Sequence, residues 1–281
     1  MVVSFPQTYV EMTEQDLNAY DLSSVSLWFN GGDAAHESHI RALIQQGSIM
    51  KNGAPVRGSI FIDGMGSSEM GFSLFRNVHT LETNNYNRCV GRPLEWVDAQ
   101  ILSESGEKLG PRQVGRLGVK APSVTSGYWN NSVLTYRSRL SGYFLTGDLA
   151  YKDEDNRFFH VDRVPDAIQT ARGPVYGLQL EEFLNSRFGD VIADCSVFGT
   201  KADGEEFSTA VALVRVRPAR TAGSAELLTQ FNLSLATEGL PQLTEVRLTA
   251  QPDIPLGTTG KVLKRILRTQ TPERISHELE S

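Results

Sequence analysis

The 281-residue chain carries 27 Lys and Arg against 33 Asp and Glu, a net charge of -6 at neutral pH. That balance excludes general nucleic-acid binding and a basic membrane-surface role, although a local basic cluster can still take a phosphate. The length suffices for a large core and predicts two domains. The two cysteines, Cys89 and Cys195, show no metal-ligand spacing, which predicts a reducing, cytoplasmic setting, and Cys195 in the apolar "VIADCSVFG" reads as a core residue. The opening "MVVSFPQTYVEMTEQD" has no basic n-region, and no run of about 18 to 20 apolar residues follows that would span a bilayer.

In chain order, residues 9–48 predict helical segments around a strand: "TEQDLNAYDL" with a Thr cap, the half-buried strand "SVSLWFN", and the helix "AAHESHIRALIQQG" ending in glycine. "GSIFIDGMGSSEMG" predicts a short apolar strand running into a glycine-rich turn, which presents backbone N–H and hydroxyl groups at a strand end. From Gly91 to Arg163 short strands and turns predict a mostly antiparallel, barrel-like section, with "KDED" as a solvated hairpin tip. Residues 166–281 predict mixed α/β structure: a helix at 178–188, strands at 191–198 and 208–216, a helix at 223–237 and a strand at 244–250. The expected fold class is therefore α/β and α+β, with a partial large domain over 1–163 and a small mixed domain over 164–281. Near the C-terminus, "IPLGTTGKVLKR" sets Lys261 where its ammonium can project from a loop of small residues; the plain alternative is a surface turn before a short helix that buries Val262, Leu263, Ile266 and Leu267.

Four stretches, "GMGSSEMG" (64–71), "GYFLTGDLAYKDEDNRFFHVDR" (142–163), "DAIQTARGPVYGLQLEE" (166–182) and "IPLGTTGKVLKR" (254–265), resemble in order and spacing the later core motifs of the adenylate-forming superfamily of acyl-CoA synthetases, peptide-synthetase adenylation domains and luciferase-like ligases. The resemblance covers nearly the whole chain and implies attack of a small-molecule carboxylate on the α-phosphate of ATP, then transfer of the acyl group from AMP to a thiol of CoA or of a phosphopantetheine arm on a carrier protein. A carboxylate and a triphosphate repel, so a lysine aimed at both lowers the barrier; by resemblance that catalytic residue is Lys261. Glu69 matches the carboxylate that helps hold Mg2+. Gly66 and Ser68 match phosphate- and nucleotide-contacting positions, Asp148 the acceptor of the ribose hydroxyls, and Arg163 the arginine that binds ribose or phosphate. Gly31 and Gly32 fall in the segment before the acyl pocket, and Gly173 matches the glycine that leaves room for the thiol arm. Beside these stand plainer readings: Asp148 ordering a turn, Glu69 capping a helix, Arg163 paired with Asp162 or Asp166 at the surface. His36, His39 and His160 read as structural or surface histidines.

The pattern also departs from the family. Its phosphate-cradling Ser/Thr/Gly-rich loop with a terminal lysine does not precede Gly64. The expectation is thus the C-terminal half of a split ligase completed by an N-terminal half chain, or self-association into a homo-oligomer that covers exposed sheet edges. Pro165 stands at the hinge position and fixes φ there. Met65 replaces the common adenine-stacking aromatic, and Gln169, Val175 and Arg116 also depart. The alternatives are a non-adenylating module that binds an acyl chain, a nucleotide or a carrier protein, and an ATP-independent acyl-transfer enzyme on the same fold.

Overall fold

The computed structural model describes residues 1–31, 35–84, 86, 88–217, 220–249, 255 and 262–268. They form two compact units, Met1–Val164 and Pro165–Ser281. In the first, β1 (Val2–Ser4), β2 (Leu27–Asn30) and β5 (Ile60–Asp63) run parallel, linked through α1 (Pro6–Thr13) and α2 (Glu37–Ile44); β3 (Ser48–Lys51) and β4 (Ala54–Arg57) make a separate hairpin. Both turn residues of that hairpin, Asn52 and Gly53, have positive φ, as a two-residue primed turn requires.

Side-chain spacing explains these elements. Ile40, Leu43 and Ile44 line one face of α2 and pack with Tyr9, Trp28 and Phe61. In β2 burial alternates, and the buried Trp28 indole donates to Ser59 Oγ at 2.8 Å. The expected Thr-capped helix is corrected: Thr13 closes α1, which starts at Pro6 and buries Tyr9 and Val10, while Asp16 accepts from Asn18 N–H and starts only a 3-10 turn at Leu17–Ala19. Proline at the first helical position, with its φ already set, moves the helix start upstream.

The sheet continues antiparallel through β6 (Phe75–His79), β7 (Cys89–Pro93), β8 (Asp98–Leu102), β9 (Gly115–Lys120), β10 (Arg139–Leu140), β11 (Tyr143–Lys152) and β12 (Phe158–Arg163). Its strand order is β1-β2-β5-β6-β7-β12-β11-β9-β8, with β10 on β11. Phe75, Leu74, Ile101, Val119, Phe144 and Phe158 fill the core of this half. The β11–β12 tip departs from a solvated turn at one residue: Asp153 is only 9% exposed and accepts from the backbone N–H of Asp155 and Arg157 and from Arg157 Nε at 2.7 Å. An Asp at the head of a hairpin closes the turn with its own oxygens.

The second unit holds the hairpin β13 (Ile168–Thr170) and β14 (Gly173–Val175) and a sheet of β15 (Ile192–Thr200), β16 (Thr209–Val216) and β17 (Glu245–Leu248), with β15 antiparallel and β17 parallel to β16. Helices α4 (Gly177–Phe188) and α5 (Ser224–Thr237) supply Leu180, Leu184, Leu227, Phe231 and Leu235 to its main core. The short α6 (Lys264–Leu267) sets Leu267, with Val262, against Phe198, Val211 and Leu213. Cys89 and Cys195 are both free and buried, so the latter is the core residue expected. Among the described residues no helix is long and apolar enough to cross a membrane.

Two buried charge arrangements make measurable predictions. In the second unit, Lys264 Nζ lies 2.7 Å from Glu181 Oε1, the same oxygen that accepts Val197 N–H at 2.7 Å, with both side chains about nine-tenths buried. Lys264→Met leaves the carboxylate without its cation and is expected to cost about 3 kcal/mol in urea denaturation, whereas Glu181→Gln with Lys264→Met is expected to recover part of that loss; equal costs would show the pair to be irrelevant. In the first unit, His79 is 2% exposed, stacks on Tyr86 at 4.9 Å, and is held neutral by burial and the Arg41 charge, its pKa falling to about 4. A depressed histidine pKa stabilises the fold above the unfolded value near 6.5; below it the unfolded chain takes the proton first, and stability falls until the pH reaches the folded value of about 4. The wild type is expected to lose up to about 3 kcal/mol more than His79→Phe between pH 7 and 4, and identical pH profiles would refute the assignment.

Candidate nucleotide site

The longest strand of the first unit, β11, contributes Asp148, and its ladder with β12 puts Asp148 directly opposite Arg163. Two irregularities shape this place. Pairing with β9 is interrupted between Leu145 and Leu149, and the β12 register shifts between Leu149 and Ala150. Bulges of this kind re-aim a side chain out of the regular alternation. Gly147, with φ of +85°, sits in the gap, and a side chain there would meet the Arg163 guanidinium at 3.3 Å.

Asp148 is 6% exposed. Its Oδ1 lies 3.1 Å from Arg163 Nε and 3.4 Å from His160 Nε2, yet neither nitrogen is aligned to make a hydrogen bond. Together with Thr146 on the same strand, these two groups compensate the charge. Burial alone pushes the Asp148 carboxyl up; contact with His160 and the charge of Arg163 outweigh it and hold the group below the usual carboxylate range. Arg163 itself is 42% exposed, so its guanidinium edges the site, and its backbone N–H donates to Asp162 Oδ1 at 2.8 Å.

Glu69 stands on the loop after β5. That loop is closed by a bridge between Gly66 and Ser73, by Met70 N–H on the Ser67 hydroxyl, and by Gly71 N–H on the Ser68 carbonyl. Gly66 is required by the closure, since a Cβ would strike the Phe72 carbonyl at 2.5 Å. Tyr128 donates its hydroxyl to Glu69 Oε1 at 3.3 Å, and Thr125 N–H donates to the Glu69 carbonyl at 2.7 Å. A bond from its own backbone N–H, then Ser67, Tyr128 and the Arg163 charge, keep the Glu69 carboxyl below its ordinary range against the effect of burial. The Arg163 charge therefore acts on both carboxylates. Among the described residues no three His, Cys, Asp or Glu gather to hold a metal ion. One ionised, partly exposed carboxylate suits a hard cation that arrives largely coordinated by phosphate and water, as Mg2+ does.

The structure thus brings together Glu69, Asp148 and Arg163, with Ser68 exposed on the same loop. Gly31 ends β2 with open space where a side chain would stand. Gly173 belongs to the second unit; its φ of +111° demands glycine in the β13–β14 turn, and open space lies beyond it. Gly32 and Lys261 lie outside the described residues. The surface pair once open to Arg163 falls instead to Arg268, whose guanidinium donates to Asp166 Oδ1 at 2.6 Å and to the Pro165 carbonyl at 2.9 Å. Sequence reasoning missed His160, Tyr128 and Arg88, the last placing its Nη2 3.3 Å from His160 Nδ1. A histidine inside the apolar run "FFHV" was the available signal for His160. A cavity of the first unit, about 600 Å³ and lined by Arg76, Arg92, Trp96 and Arg157, shares no residue with this cluster.

Residues 1–129 match the family described as AMP-binding enzyme. The chain is 43% identical to a 3-aminoavenalumate diazotase of a Streptomyces species over 98% of its own length and 53% of that protein's. It is 28% identical to a long-chain-fatty-acid–CoA ligase of Bacillus subtilis (strain 168), over 95% and 45%. Among solved structures, an amide bond synthetase from Marinactinospora thermotolerans superposes with a TM-score of 0.78 at 23% identity, covering 95% of this chain and 52% of that one. An anthranilate CoA ligase in complex with anthranoyl-AMP gives 0.77 at 18% identity, covering 99% and 50%. These structures share the mixed α/β fold. The chain spans about half the length of the curated relatives it matches. Motifs, fold and relatives agree along nearly all of its residues: the first 129 match the AMP-binding enzyme family, and the chain as a whole is similar to the proteins named above.

Proposed function

We propose that the chain supplies the ribose- and metal-facing part of an ATP site that activates a small-molecule carboxylate as its acyl-adenylate and passes the acyl group to a thiol of CoA or a carrier protein. The observation that carries this reading is Asp148: a buried carboxylate held ionised at the strand bulge, with the half-exposed Arg163 guanidinium beside it. A cis-diol needs two acceptors, and an acceptor-only side chain provides them. Arg163, half exposed beside it, has donors to spare for the α-phosphate. Glu69 is the carboxylate that would hold Mg2+, with Tyr128 fixing its orientation; the cation, when bound, neutralises phosphate charge. Lys261, by the family resemblance of its loop, stabilises the negative charge that grows as the carboxylate approaches phosphorus. The β- and γ-phosphates are met by a further segment, in this polypeptide or in a second half chain.

A second reading is favoured by the 43% identity to a protein named a diazotase. The same nucleotide site would then activate nitrite, whose oxygen becomes a leaving group once joined to phosphorus, for attack by an amine. Nothing in the Asp148, Arg163 and Glu69 cluster discriminates between the two oxyanions.

Two measurements test the site. Asp148→Asn keeps the shape but removes the charge and half of the acceptor capacity, and is expected to weaken AMP binding about tenfold or more by calorimetry; wild-type affinity in that variant would sink the proposal. With the complete site assembled, pyrophosphate exchange is expected to fall at least about a hundredfold in Lys261→Ala, and Glu69→Gln is expected to raise the Mg2+ concentration needed for half-maximal exchange. Exchange that depends on nitrite, and not on any carboxylate, would select the second reading.

A further inference from the structure

Arg88, immediately before β7, has φ of +58°. A residue other than glycine adopts that left-handed conformation at a cost, and such strain persists where surrounding contacts dictate it. Two contacts do so here, both to one residue of β12. The Arg88 carbonyl accepts His160 N–H at 3.0 Å, and Arg88 Nη2 lies 3.3 Å from His160 Nδ1.

A guanidinium only donates hydrogen bonds. His160 Nδ1 is therefore the acceptor, and the ring proton sits on Nε2. That nitrogen lies 3.4 Å from Asp148 Oδ1, on a side chain about nine-tenths buried, and it makes no hydrogen bond of its own. In the opposite tautomer a nitrogen lone pair would face the carboxylate and repel it. The tautomer set by Arg88 thus decides whether Asp148 is held or pushed away.

We propose that Arg88 and His160 are a positioning pair that fixes Asp148 for the hydroxyls of a nucleotide ribose: Arg88 sets the imidazole tautomer, and the Nε2–H holds the carboxylate from inside the sheet while Arg163 holds it from the solvent side. This rests on the reading of Asp148 as the ribose acceptor. The competing view is a structural tie between β7 and β12 with no bearing on the ligand.

The test uses the whole chain, calorimetry and two probes, AMP and its 2′,3′-dideoxy analogue. Arg88→Gly suits the positive φ, so the fold is expected to persist with a melting temperature within a few degrees of wild type. Its affinity for AMP is expected to fall about three- to tenfold, as is that of His160→Leu, with no change toward the dideoxy analogue. Arg88→Lys, which keeps a donor, is expected to restore part of the AMP affinity. Nitrogen-15 spectra of the imidazoles give a readout independent of binding: His160 is expected as the Nε2–H tautomer in the wild type and as a mixture in Arg88→Gly. If Asp148→Asn weakens AMP binding while Arg88→Gly and His160→Leu bind AMP as the wild type does, or if wild-type His160 carries its proton on Nδ1, this inference falls and the proposed function stands. If the wild type does not bind AMP, or Asp148→Asn binds it unchanged, both fall together.

Discussion

A carboxylate that must stay ionised inside a β-sheet constrains everything around it. Asp148 is nearly inaccessible, and an isolated charge there would take up a proton instead of paying the desolvation cost. The first unit answers with geometry. Register brings Arg163 opposite, a bulge turns the strand, Gly147 leaves space for the guanidinium, and β7 brings Arg88 against the histidine that lies beside the carboxylate. Arg163 and His160 both approach Asp148 without an aligned hydrogen bond, and Thr146 on the same strand adds to the compensation. The result is a buried charge that is stabilised at the edge of the sheet's irregularity.

The same logic links the two halves of the first unit. The parallel strands β1, β2 and β5 are covered by helices and end in irregular loops, and the loop after β5 carries Glu69. Antiparallel pairing of β5 with β6 and of β7 with β12 then delivers that loop to the neighbourhood of Arg163. Side-chain volume is removed only where the chain must close, as at Gly66, so the Glu69 loop is built before any ligand enters. Preorganised charge of this sort acts without reorganisation at the moment of binding.

How much of this was legible in the sequence depended on whether the signal was local. Helices α2, α4 and α5 and the strands β2, β5, β15, β16 and β17 follow from periodicity, a local property, and fall within a few residues of expectation, whereas β1 and the β3–β4 hairpin were not expected. Thr13 misled because a Thr followed by acidic residues looks like a cap, while the decisive residue was Pro6, one helix earlier. The "KDED" tip misled because charge suggests solvent, whereas Asp153 spends its oxygens on its own turn. Glu69, Asp148 and Arg163 were singled out through motifs in which each residue has a fixed neighbourhood. His160 and Arg88 were not, since they stand 72 positions apart and meet only through the β7–β12 ladder. Pairing between distant strands is a tertiary fact, and a single histidine in an apolar strand announces an unusual neighbour without naming it.

The cluster also sets a limit on where specificity resides. On the proposed reading, Asp148, Arg163 and Glu69 would address hydroxyls, phosphate and metal, groups that every adenylate shares. A site of this composition binds the nucleotide half of the transition state equally well whatever oxyanion attacks, so it raises the rate without choosing the acid. Choice has to come from contacts to the rest of the substrate. One place with open space in the described residues of the first unit is Gly31, just after β2, where no described side chain comes within 4 Å of a Cβ. If Asp148 is the ribose acceptor, substitutions there and around Gly31 should therefore act on different steps.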